Sequence, residues 1–214
     1  MNVPMVLTLS RLVMAPAVLV LFQWGLLPHL NVQTGLWNPG EEPLALYVVV
    51  LVLTVLIEVT DVLDGHLARK WGQVSDAGKF LDPLADSISR STVFLCFLQA
   101  GYVPLWMVAL VFYRESTISG LRIAGASQNV IIAARWSGKT KAILQALFIN
   151  VTILVDMLRT TGVEIRWFTD LAYWGMGVVT AVTVLSLVDY FRGNGQVIAR
   201  LFATADPPKP PPTP

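Results

Sequence analysis

Runs of about twenty apolar residues leave a polypeptide few choices, because a hydrocarbon core about 30 Å thick is crossed by roughly 20 helical residues. Inside lipid every backbone amide must be satisfied within its own segment, so such runs read as helices. Six of them stand in this chain, near Val6–Leu27, Leu44–Leu63, Phe80–Ala100, Tyr102–Ala124, Lys139–Leu158 and Trp167–Phe191. The expected fold class is therefore an all-α integral membrane protein, a bundle of six transmembrane helices. Composition agrees, with 55% hydrophobic residues, only 14% charged and a mean hydropathy of +0.63. A net charge of +1 gives no basic field for nucleic acid. The single cysteine, Cys96, lies in an apolar run and excludes an intrachain disulfide or a cysteine-based zinc site.

One membrane domain over residues 1–205 is the simplest organisation, followed by a Pro-rich tail, 206–214, with too few apolar residues to pack. The N-terminus lacks a basic region before its apolar stretch, and Arg11 interrupts that stretch, so it reads as a retained first helix. The polar segment Pro28–Pro43, with the turn signal Asn38-Pro39-Gly40, separates the first two spans. An even span number puts both termini on one side. That side collects Arg69, Lys70, Lys79, Arg135, Lys139, Lys141, Arg192, Arg200 and Lys209, against Arg159 and Arg166 opposite, which predicts that the termini face the cytoplasm. Trp37, Trp106, Trp167 and Trp174 read as interface anchors or packing surface.

Against this apolar background stand Asp61, Asp64, Asp82 and Asp86. At 100° per residue Asp61, Asp64, Gly65 and Ala68 fall within about 100° of one helix face, and Asp82 and Asp86, at i and i+4, share a face of the next helix. A short connection near Gly72–Ser75 lets the two helices pack side by side and brings the four carboxylates together. Any one of them alone could be a solvated loop residue; four at this spacing need a common partner. Like charges raise one another's pKa, and hydrocarbon excludes isolated charge. Two divalent cations supply the partner, and oxygen-only ligands suit Mg²⁺, with Mn²⁺ or Ca²⁺ as substitutes. Metals held by carboxylates commonly serve phosphate chemistry. Gly65, Ala68 and Gly78 leave room for a bulky group, Arg69 offers a fork for a phosphate, and Ser75 offers a hydroxyl.

The pattern D61-x₂-D64-G65-x₂-A68-R69-x₈-G78-x₃-D82-x₃-D86 resembles the signature of the CDP-alcohol phosphotransferase family at all eight fixed positions. The resemblance implies a six-helix fold with a polar site cavity facing the cytoplasm, the four aspartates as metal ligands, and Asp86 as general base. It also implies that Gly65, Ala68, Arg69, Ser75 and Gly78 lie at the cytidine nucleotide.

Three further segments resemble the phosphatidylglycerophosphate-forming branch of that family. They are N2-V-P4-M-V-L7-T8-L-S-R11, then R114-E115-x₃-S119-G120-L121-R122, then A134-x₃-G138-K139-T-K141 up to Gln145. Met5 stands where an Asn is usual, and Ser87 where a Lys commonly follows the last aspartate. The branch implies CDP-diacylglycerol and glycerol 3-phosphate as substrates, a phospholipid-synthesis role in the cell (inner) membrane, and a homodimer. Arg114, Arg122, Lys139 and Lys141 are the expected contacts for the acceptor phosphate. Lys139 and Lys141 also fit plain topology, and Arg11 is either a snorkelling interface residue or a phosphate contact. Inositol phosphate, serine or another small alcohol remains an alternative acceptor, and a divalent-cation transporter is the alternative outside enzymes. Arg90, inside the third span, has no place in either reading.

Overall fold

A computed structural model describes residues 3–31, 36–37, 43–72, 76–127, 132, 135–161, 163, 165–203, with backbone alone at 31, 36–37, 68–69, 76–77, 79–80, 126–127, 200 and 203. The expected tail and the Asn38-Pro39-Gly40 turn lie outside the described residues. The described residues form six α-helices: α1 (Val3–Val20), α2 (Leu44–Lys70), α3 (Asp76–Gln99), α4 (Leu105–Ser127), α5 (Trp136–Thr160) and α6 (Phe168–Ala203). A π-helical turn, Leu21–Leu26, and a 3₁₀ turn, Leu27–His29, extend α1. A minimal antiparallel pair follows, β1 (Leu30–Asn31) on β2 (Leu36–Trp37).

Among the described residues, four stretches are long and apolar enough to cross a membrane: Val3–His29, Leu44–Leu67, Trp136–Thr160 and Phe168–Ala199. The sequence reading had six. The other two helices have the length, at 24 and 23 residues, but α3 carries Asp82, Asp86 and Arg90, and α4 carries Arg114, Glu115 and Arg122. Those charges are turned to the bundle interior, where ionisable groups in such helices normally sit.

The helices close a ring in which α1 packs on α2 and α3, α3 on α4, α4 on α6, α6 on α5, and α5 back on α2. The interior is filled by Phe22 and Leu26 below α1, Tyr47 and Val50 of α2, Phe94 and Phe97 of α3, Met107 and Val111 of α4, Phe148 and Ile153 of α5, and Met176 of α6. Phe148 stands edge-on to Phe97 with centroids 6.1 Å apart. Gly175 makes room for it, since a Cβ there would lie 2.7 Å from the Phe148 ring. Close approach of this kind is how helices associate where lipid removes the hydrophobic drive between them.

The connection that matters for the site is as short as the sequence predicts. Gly72 takes φ +63° two residues after α2 ends. This left-handed conformation, open to glycine at little cost, stops the helix. Helix α3 then starts at Asp76.

A buried polar cluster ties the far end of the bundle. Asp156 of α5, 1% exposed, accepts hydrogen bonds from the hydroxyls of Tyr47 and Tyr102 and from Arg159 Nη1 at 2.8 Å. The Arg159 guanidinium sits 4.3 Å from the Phe168 ring centre. One carboxylate thus holds together α2, the α3–α4 turn and α5. We expect Asp156→Leu to lower stability by about 3–5 kcal/mol, because it removes the buried acceptor that two hydroxyls and the Arg159 guanidinium share. Thermal melting in detergent reads this. Melting like the wild type would show that the cluster is not a tie.

Candidate active site

Asp61 and Asp64 leave α2 on one face, and Asp82 and Asp86 leave α3 one turn apart, as their spacing requires. Both faces look toward α1, and α1 answers with Arg11. Its side chain is fully buried. Nη1 donates to Asp61 at 3.0 Å and to Asp86; Nη2 donates to Asp64 and lies 3.8 Å from Asp82. Thr8, one turn earlier on the same face, is 2.6 Å from Asp82 and 3.1 Å from Asp64. Its hydroxyl has one proton, and the shorter distance gives that proton to Asp82.

Arg90 continues the cluster. It forks onto Glu58 of α2 at 3.3 and 3.1 Å and reaches Asp61 at 3.5 Å. Among the described residues, five carboxylates (Glu58 and the four aspartates) therefore face two guanidinium groups, an excess of three acids over cations in this cluster. Among the described residues no three acid, histidine or cysteine groups form a ready cage for a metal. The Arg11 guanidinium takes the place where the aspartate oxygens converge. It is a stand-in cation, and a hard all-oxygen donor set with surplus negative charge fits divalent ions.

On the other side of Asp86 lies a cavity of about 210 Å³. Its charged lining is Asp86, Arg90, Arg114, Glu115, Arg122, Arg135, Lys139 and Lys141, with Ser119 beside them. Four of these are the residues expected to hold an acceptor phosphate. Arg11 is not among them; the structure sets it with the aspartates, buried rather than snorkelling. Arg114 is aimed by Ser186 of α6, to whose oxygen Nε and Nη2 donate at 3.2 and 3.0 Å. Glu115 accepts from Arg114 Nη1 at 3.2 Å and from Lys141. Lys139 lies 4.7 Å from the Trp136 ring centre, and Arg122 faces Tyr190. Arg135 bonds Asp189 at 2.7 Å, which raises its pKa above the ordinary value and keeps it cationic.

The nucleotide side is less fully drawn. Gly65 and Gly78 are half-buried on α2 and α3 near the aspartates, Ala68 and Arg69 contribute helical backbone at the end of α2, and Ser75 lies outside the described residues. Among the described residues Asp86 and Arg90 belong to both the acidic cluster and the basic cavity, and Asp86 is the carboxylate of the two.

The family model described as CDP-alcohol phosphatidyltransferase matches residues 1–185. The chain belongs to the CDP-alcohol phosphatidyltransferase family. The recognition from the eight-position motif is thereby borne out, and with it a transferase. The chain is 31% identical to a CDP-diacylglycerol–glycerol-3-phosphate 3-phosphatidyltransferase of Bacillus subtilis over 92% of its own length and 97% of the relative's. A protein of the same name from Rickettsia bellii is 31% identical over 89% of this chain and 94% of its own. One from Blochmanniella floridana is 33% identical over 68% and 70%.

Sequence reasoning missed Thr8, Glu58, Arg135, Ser186 and Asp189. For Thr8 a signal existed: it lies three residues before Arg11, on the same face of a helix whose opening motif was already singled out. Arg90 also had a readable cue, at i+4 from Asp86. Ser186 and Asp189 had none, since they lie in a helix that reads as generic apolar span.

Proposed function

We propose that the chain transfers the phosphatidyl group of CDP-diacylglycerol to glycerol 3-phosphate, releasing CMP and leaving phosphatidylglycerophosphate in the membrane. The observation that carries this is the position of Asp86, between a carboxylate cluster suited to a metal-bound pyrophosphate and a cation-lined cavity suited to a small phosphorylated alcohol. The names of the relatives favour the same acceptor.

Asp61, Asp64, Asp82 and Asp86 would hold two Mg²⁺ ions, or Mn²⁺ in their place, which when bound neutralise charge developing on the pyrophosphate. Gly65, Ala68, Arg69, Ser75 and Gly78 border the cytidine nucleotide. Arg114, Arg122, Lys139 and Lys141 bind the acceptor phosphate, a dianion that needs several cations. This places the acceptor's primary hydroxyl beside Asp86. Asp86 takes its proton; the freed oxygen bonds the phosphatidyl phosphorus, and the bond from that phosphorus to the CMP oxygen breaks. Arg114 and Lys141 are prevented from drifting by Glu115 and Ser186, so orientation is set before substrate arrives.

All six helices cross the cell (inner) membrane in this reading, with the cavity and both termini facing the cytoplasm. The charged face of α3 and α4 is then interior, and acyl chains stay between helices in lipid. The enzyme works as a homodimer. A cation pathway is disfavoured, because Arg11 and Arg90 stand among the acids such a pathway would use.

The test is CMP release by purified enzyme from CDP-diacylglycerol with glycerol 3-phosphate, serine or inositol phosphate. Turnover with glycerol 3-phosphate alone, abolished by a chelator and restored by Mg²⁺, is the expected result. Turnover that survives chelation refutes the metal role, and preference for serine or inositol phosphate refutes the acceptor.

A further inference from the structure

Arg135 lines the basic cavity from the residue before α5, where the backbone is still extended at φ −109° and ψ 156°. Its Nε donates to an Asp189 oxygen at 2.7 Å, and the Ser137 hydroxyl donates to the same oxygen. The guanidinium lies on Gly193, four residues beyond Asp189 on α6; a Cβ there would overlap Nη1 and Cζ. The glycine is therefore a seat for the arginine. The Nη1 and Nη2 atoms have no partner among the described residues.

Stability does not explain this arrangement. Arg135 and Asp189 are 40% and 35% exposed, and an ion pair so exposed adds little to stability. Asp189 occupies only the Nε side of the fork. The remaining edge has the geometry that takes phosphate oxygens in pairs. Asp189 and Gly193 also lie beyond residue 185, where the family match ends.

We infer that Arg135 is a further phosphate-binding cation of the acceptor cavity, positioned by Asp189 and Ser137 and seated on Gly193. The inference rests on the acceptor reading above. It makes the last turns of α6 part of substrate binding, with Asp189 and Gly193 as positioning residues that never touch substrate.

Two measurements on the purified full chain separate this inference from that reading. The first is the concentration of inorganic phosphate giving half its maximal thermal stabilisation, which needs no knowledge of the acceptor. Arg135→Gln should raise it about tenfold, the value of one charge-assisted hydrogen bond. Asp189→Asn and Gly193→Val should raise it about threefold to fivefold, since a misplaced guanidinium keeps its charge. The second is steady-state kinetics: KM for glycerol 3-phosphate should rise by like factors in the two positioning variants, with kcat and KM for CDP-diacylglycerol within about twofold of wild type. Unchanged phosphate midpoints in all three variants would overturn the inference. Shifted midpoints in an enzyme that ignores glycerol 3-phosphate would support the phosphate clamp and refute the acceptor. Equal loss of kcat with both substrates in folded Asp189→Asn would make Asp189 a structural residue and overturn its positioning role.

Discussion

Asp86→Asn should lower turnover by about 10²–10⁴-fold while leaving the fold intact. The size follows from what the substitution removes. Asp86 touches Arg11, faces Arg90 and opens onto the cavity where the acceptor is proposed to bind. An amide keeps the shape and accepts a hydrogen bond from Arg11, so packing survives. It cannot take a proton from an alcohol, and it is a poor ligand for a hard cation. The loss should appear in kcat with saturating substrates, and melting should move little. Turnover within about threefold of wild type would remove Asp86 from the chemistry, whatever the metal does. Asp86→Glu sharpens the result. It retains the base but moves it by a methylene, and displacement of a reacting group by about 1 Å costs on the order of 10²-fold.

Arg11→Met should give the second large effect, and on stability rather than rate. Breaking a buried ion pair by deleting one partner costs about 3–5 kcal/mol, because the remaining charge stays in low dielectric. The lower end is expected here, since Asp61, Asp82 and Asp86 keep side-chain exposures of 30%, 42% and 30%, and only Asp64, at 4%, is sealed. In chelator the variant should therefore melt well below wild type. Mg²⁺ should restore much of the difference, because a divalent ion compensates the same carboxylates. Wild type, already carrying its own counter-ion, should gain less. Equal melting of the two proteins in chelator would show that Arg11 does not neutralise the cluster.

These two residues also show how far the sequence could be read. Asp86 was legible because both of its relationships are local. Its i, i+4 partner Asp82 shares a helix face by geometry alone, and Asp61 and Asp64 follow the same rule on α2. The glycine-marked connection at Gly72 returns the chain, but α2 and α3 do not pack side by side as the spacing suggests; α1 packs on both and brings their acidic faces together. The apolar runs fixed the helical class for a similar reason, since hydrocarbon permits little else. The count of spans was less secure. Helices α3 and α4 are long enough, yet carry interior charges that make them look less like lipid-facing segments than their neighbours.

Arg11 was visible as an anomaly and opaque as to role. A lone arginine in an apolar helix has to go somewhere, and spacing does not say whether that is headgroup, phosphate or carboxylate. Its partners lie 50 to 75 residues away and meet it only because α1 packs on α2 and α3 together. The same holds for Asp189 with Arg135, 54 residues apart, and for Ser186 with Arg114, 72 apart. Sequence by itself determined what depends on helical period and on the cost of charge in lipid: the helices, the shared faces of the acids and the family signature. Which cation answers which carboxylate was decided by tertiary structure alone, because ion pairing acts through distance in space and leaves no period along the chain.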